Sequence, residues 1–294
     1  MRVNTMNMSF NIDNDTVVIY PPSKLAEGLQ FAKDKNIFSI RIQGNQHAIF
    51  DLDFNACKIF PEIKRLVIYG NIKIGKVIPS DDFYHSQIQN IILYENFIFP
   101  LELHRLAHLT HLDIVETAKL KITKLPETLS WAKISKLSHD TLKVFADAPN
   151  LSQLDLISPK ISSLSGIESC TNLECLFLFG ANKLTDISSI NQLNHLKRLE
   201  FERCKKLTQS DLALITSNSL QRLEVRFPVE DLSFLKNFPN LQEFCFTDVK
   251  DGNLNPILDS QIKMVGFSGK KHYSHRFDEL SALLQEKWFN TNIK

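Results

Sequence analysis

The chain has 294 residues, is 43% hydrophobic, and carries 34 Lys+Arg against 33 Asp+Glu for a formal net charge of +1. It is long for one compact globular domain and apolar enough to build a large core, which sets disorder aside. The charge balance gives no electrostatic basis for a nucleic-acid or anionic-membrane partner, and no apolar run reaches the roughly 18 residues of a membrane helix.

The N-terminal stretch MRVNTMNMSFNIDNDTVV has no continuous apolar core of the kind a secretory signal needs, so a cytoplasmic location is expected; secretion by a non-cleaved signal stays open. SFNIDNDTVVIY reads as strand material around a turn. After Pro21-Pro22-Ser23, KLAEGLQFAKDKN reads as a helix with Ser23 as its N-cap. Residues 1–36 are thus expected to form an N-terminal cap of short strands plus a helix.

From there a pattern recurs: apolar-x-x-apolar-x-apolar. It starts at Ile37, Ile63, Ile88, Leu109, Leu129, Leu151, Leu173, Leu196, Leu220, Leu241 and Ile262. The mean spacing is about 22 residues. The middle copies are the clearest: PNLSQLDLISPKISSLSGIESC, TNLECLFLFGANKLTDISSINQL and NHLKRLEFERCKKLTQSDLALI. These resemble leucine-rich repeat proteins, with the repeat spacing of bacterial internalins. The resemblance implies an α/β solenoid. It would be a horseshoe whose parallel, concave β-sheet holds about eleven strands, one per repeat, with both ends capped. Residues 37–270 are the expected repeats. Phe277, Leu280, Leu284 and Trp288 fall at helical spacing and are expected to form a C-terminal capping helix over 271–294.

The family favours Asn three residues after the sixth position of the pattern, where its amide serves loop backbone groups. Asn45, Asn71 and Asn96 match, Cys204 matches the cysteine variant, and Asn182 matches if its turn is one residue longer. Leu137, Pro159, Pro228 and Val249 depart from the pattern.

In this register the first, fourth and sixth positions point into the core. The third, fifth and seventh point outward from the concave sheet, because side chains alternate along a strand. One zone of that face carries Val67, Tyr69, Ile92, Tyr94, Val115, Trp131, Ile157, Phe177 and Phe179, with Asp113 and Lys133 among them. The other is wholly charged: Arg198, Glu200, Glu202, Arg222, Glu224 and Arg226. Large apolar patches on soluble proteins mark binding surfaces, and aromatics and Arg anchor interfaces. The blander readings are aromatic pairs that only stabilise the sheet, Arg and Glu that only pair with each other, and a loop from the long repeats near Ile63 and Ile88 that covers the apolar zone.

Other chemistry is poorly supported. Gly70-Asn-Ile-Lys-Ile-Gly75-Lys76-Val77 nearly spells a phosphate-binding loop, but Val77 replaces the magnesium-binding hydroxyl and Pro79 opposes a following helix. A repeat turn punctuated by glycine is expected there. His104, His108 and His111 read H-R-L-A-H-L-T-H, without the Glu of a zinc-protease motif, so no metal site is assigned. Cys57, Cys170, Cys175, Cys204 and Cys245 form no C-x-x-C pair and are expected as free thiols. About 25 residues follow the last strand, too few for an appended ligase domain.

The expectation is a non-catalytic, cofactor-free module that recognises a protein partner on the concave face. Among its readings are a bacterial immunity protein that neutralises a toxin, a secreted bacterial effector that binds a host protein, and a homodimer or scaffold using the same patch. An unrecognised enzyme is the outsider.

Overall fold

A computed structural model describes residues 10–44, 49–69, 72–94 and 97–292. The chain divides into two compact units, Met1–Ile134 and Ser135–Lys294.

The first unit opens with β1 (Phe10–Asp13) and β2 (Thr16–Ile19), an antiparallel hairpin. Asn14 and Asp15 make its two-residue turn with φ of 46° and 57°, the left-handed backbone that such a hairpin turn requires. Helix α1 (Leu25–Asp34) buries Leu25, Leu29 and Ala32. Gly28 lets it approach β2, since a Cβ there would stand 2.5 Å from Ile19 Cδ1. Ser23 does not cap this helix. It lies inside a 3-10 turn, Pro22–Lys24, and the residue at the helix N-cap is Lys24, without a side-chain hydrogen bond. The proline that fixes φ for the first turn starts it one step early.

β3 (Ser39–Gln43), β5 (Arg65–Tyr69), β7 (Asn90–Leu93), β8 (His111–Val115) and β9 (Trp131–Ser135) follow beside β2, with β4 (Ile49–Asp53) and β6 (Lys73–Ile78) apart from them. β4 and β6 pair in parallel as a separate small sheet. Among the described residues, the extra length of the early repeats goes into these two strands. Gly75 and Lys76, expected in a turn, are residues of β6, and a Cβ on Gly75 would stand 2.6 Å from Ile49 Cγ2. The glycine is demanded by strand packing. Gly70, Asn45, Asn71 and Asn96 lie outside the described residues. Helix α2 (Asp81–Tyr84) is a single turn capped by Ser80 Oγ, which accepts from the Asp82 N–H.

The second unit carries β10 (Gln153–Ile157), β11 (Cys175–Phe179), β12 (Arg198–Glu202), α3 (Gln209–Ala213), β13 (Arg222–Val229), β14 (Glu243–Val249), α4 (Asn255–Leu258), β15 (Met264–Gly266) and α5 (Phe277–Asn292). β10 to β15 pair in parallel in chain order. Every repeat strand from β3 onward, β4 and β6 aside, begins two residues after one of the eleven predicted starts. Apart from half-buried Ile37, those start residues are buried, and so are the fourth- and sixth-position residues of the central copies, such as Leu176 and Leu178.

Two devices hold the second unit's loops. Lys136, Ser158, Gly180 and Arg203 each follow a strand directly, and each has positive φ, between 51° and 68°. The N–H groups of Lys136, Ser158 and Gly180 donate to Ile157 O, Phe179 O and Glu202 O at 2.6–2.8 Å, joining each turn to the next repeat. On the return path, Asp186 Oδ1 accepts from the Ser188 N–H at 3.1 Å and Asp231 Oδ1 from the Ser233 N–H at 2.7 Å, opening 3-10 turns. Asn182 is exposed, and buried Ala181 takes the position expected of it. Cys204 is buried as the turn cysteine, its Sγ donating to Leu178 O and Glu202 O at 3.6 Å. Pro228 and Val249 lie within long strands, because β13 and β14 run past the usual turn with a register shift between Val225 and Pro228. Pro, lacking an N–H, is tolerated at such an irregularity.

On α5 only Leu280 and Leu284 of the expected stripe are buried. Phe277 and Trp288 are 42% and 43% exposed. Lys287 Nζ anchors the helix by donating to Leu258 O at 2.6 Å and Ser260 O at 2.5 Å.

Candidate protein-binding face

Strand alternation leaves one face of each unit's sheet open to solvent. In the first unit, Tyr69 and Tyr94 stand 50% and 42% exposed, with their rings edge to face at 5.3 Å. Ile92, Asp113, Trp131 and Lys133 are half-buried, and the Trp131 ring lies 6.2 Å from that of His111. Val67 and Val115 do not belong to this surface. They are 5% and 9% exposed, so the apolar zone is smaller than alternation predicts. Valine is short, and on a sheet face its burial depends on the side chains opposite it on neighbouring strands. His104 and His108 are exposed outside the strands.

In the second unit, Ile157, Phe177 and Phe179 are half-buried on the open face. Phe177 is the register partner of Asp155 on one side and Glu200 on the other. A cavity of about 170 Å³ opens here between Gln153, Asp155, Cys175, Phe177, Arg198 and Glu200. The Asp155 carboxylate accepts from Gln153 Nε2 at 3.2 Å. Period-2 alternation placed Gln153, Asp155 and Cys175 on this face but did not mark them as site residues; only the register of three adjacent strands shows that they enclose a space with Phe177. Arg203 was missed outright. It follows its strand in a left-handed turn, outside the alternating pattern, and its guanidinium lies over the Phe179 ring at 5.1 Å.

The charged residues are organised as a ladder. Arg198 Nε pairs with Glu200. Arg222 reaches Glu243 at 3.0 Å and Glu224 at 3.3 Å, with Glu200 at 3.6 Å from its Nε. Arg226 Nε donates to Glu224 Oε1 at 2.6 Å. Glu200 and Glu224 side chains are each 13% exposed, so the ladder is partly desolvated. The hydrogen bond that the Arg226 guanidinium donates to Glu224 holds it above its ordinary range. Glu202 stands apart: among the described residues its carboxylate makes no hydrogen bond or ion pair. Cys175 and Cys245 are half-buried on the same face, and burial raises both thiols above their ordinary value. All five cysteines are free.

No family model matches the chain. A leucine-rich repeat protein of Leptospira interrogans matches in structure with a TM-score of 0.50 at 18% identity, over 86% of this chain and 77% of that one. The repeat register and this likeness agree. The chain has a leucine-rich repeat fold. An internalin of Listeria monocytogenes covers 92% of this leucine-rich repeat chain and 84% of its own, at 15% identity and a TM-score of 0.49. In sequence, the chain is 28% identical over 183 residues to the disease resistance protein RPS6 of Arabidopsis thaliana. The match covers 60% of this chain and 16% of that relative. Among the described residues, no helix of the leucine-rich repeat chain is long and apolar enough to cross a membrane.

Proposed function

We propose that this is a non-catalytic recognition module that holds a protein partner on the open face of its sheet. The observation that carries the reading is the placement of Phe177 and Phe179. They alternate along β11 with the buried core leucines Leu176 and Leu178, yet are half-exposed, Phe177 lining a cavity and both rings standing against a charged ladder. Aromatic rings that could have been polar, at positions with no core role, fit an interface anchor better than a solvated strand. The ladder supports specificity: its Arg and Glu side chains are already fixed by mutual pairing, so a partner meets a preset charge pattern. In this reading residues 1–36 and 271–294 serve as end caps and stay out of the interface. The partner would be a toxin neutralised by this chain, or a host protein bound by a secreted effector.

The test is partner recovery from native cells with the wild type and with Phe177→Ser plus Phe179→Ser, once circular dichroism shows both folded. Loss of recovery is expected; equal recovery sinks the reading. The homodimer reading is separated by sedimentation, since a monomer at high concentration leaves no second copy to cover the rings.

A further inference from the structure

Resting on the open-face reading, we infer that the partner presents a basic side chain, Lys or Arg, whose stem lies against Phe179 and Ile157 and whose head pairs with Glu202. The argument begins with register. Ile157, Phe179, Glu202 and Arg226 form one cross-strand row on the open face of β10 to β13. Neighbouring members of such a row stand about 4.8 Å apart. An apolar surface and a carboxylate are therefore adjacent at the spacing that a Lys or Arg side chain spans with its apolar stem and charged head.

The charge inventory of this face points the same way. Glu200, Glu202, Glu224 and Glu243 share this face with Arg198, Arg222 and Arg226. Each of these guanidiniums is committed: Arg198 to Glu200, Arg222 to Glu224 and Glu243, Arg226 to Glu224. Arg203, in the turn after β12, rests on the Phe179 ring. None of them forms an ion pair with Glu202 among the described residues. An incoming anion would meet guanidiniums already paired with Glu200, Glu224 and Glu243. An incoming cation would meet the Glu202 carboxylate, which feels the charge of its row neighbour Arg226 but makes no hydrogen bond or ion pair among the described residues, beside apolar surface, where a charge-assisted hydrogen bond is strengthened by exclusion of water. Arg203 also shows, within this chain, that the Phe179 ring accepts a guanidinium on its face.

The experiment is selection from a random peptide display library with the folded full-length chain, alongside Glu202→Gln, Glu202→Lys and the Phe177→Ser plus Phe179→Ser chain. Glu202 holds no ion pair whose loss would unfold the strand, and a thermal melt of each variant checks this. Wild type should enrich peptides with Lys or Arg next to an apolar residue. Glu202→Gln should weaken the leading synthetic peptide about tenfold, and Glu202→Lys should abolish the basic preference. Peptides that need the two rings but show no basic preference, or keep it in Glu202→Lys, overturn this inference and leave the open-face reading standing. If no enrichment depends on the rings, the open-face reading fails and this inference fails with it.

Discussion

The guanidinium of Arg203 lies 5.1 Å from the centroid of the Phe179 ring, reaching it from a backbone with φ of 54°. Two energies of similar size meet at one residue. An exposed cation–π contact contributes about 0.5–1 kcal/mol. A non-glycine residue in the left-handed region costs about 1–2 kcal/mol. Arg203→Ala should keep the strain and lose the contact, lowering stability by about 0.5–1 kcal/mol in urea unfolding. Arg203→Gly should cost less, because relieved strain offsets the lost contact and glycine's added unfolded-state entropy. A glycine variant less stable than the alanine variant would show that the left-handed turn is not strained.

Adjacent residues of β11 should differ sharply in cost. Leu178 is fully buried, so Leu178→Ala should lose about 2–5 kcal/mol. Phe177→Ala removes a larger side chain, but from the half-buried face, and should cost about 1 kcal/mol. Equilibrium denaturation of both variants checks the alternation. Equal losses would place both side chains in the core and remove Phe177 from any binding surface.

Acid should loosen the return-path turns. Hydrogen bonds from Ser188 and Ser163 hold the Asp186 carboxyl below its ordinary 3.8, those from Ser233 and Gln209 do so for Asp231, and the Lys270 ammonium for Asp248. Because each folded-state value is depressed, the stabilisation is complete above the ordinary value and is lost as pH falls below it through the folded-state value. Melting temperature should therefore drop below about pH 4. In Asp186→Asn plus Asp231→Asn the drop should be shallower, from a lower plateau at neutral pH. An unchanged profile would show that these carboxyls do not couple to folding.

The five thiols should separate into two classes. Burial pushes Cys57 and Cys170 up to about 12 and Cys204 to about 11, whereas Cys175 and Cys245 sit half-buried on the open face. The thiolate is the reactive form. A disulfide-exchange reagent near pH 8 should modify Cys175 and Cys245 first, and the other three only after denaturant is added. Uniform reactivity would mean that the turn and core cysteines are not sealed by their repeats.

The repeat fold was legible in the one-dimensional order because its physics is local and periodic. Each repeat strand, β4 and β6 aside, begins two residues after a predicted start, since an apolar residue at the first, fourth and sixth positions has only one way to be buried by its neighbours. The same period assigned Phe177 and Phe179 to the open face. It failed at Val67 and Val115, where outward registry did not prevent burial, because burial depends on the size of neighbours on other strands. It failed again at Ser23 and Asn182, where a proline turn and an alanine took the expected places. The left-handed ladder of Lys136, Ser158, Gly180 and Arg203 escaped the sequence reading, because only one of the four is glycine. By itself the sequence determined which side chains line the core and which strands are neighbours. Only the tertiary structure decided which charges pair across strands, leaving Glu202 without an ion pair among the described residues beside Phe179, because ion pairing is set by distances between residues some twenty positions apart in the chain.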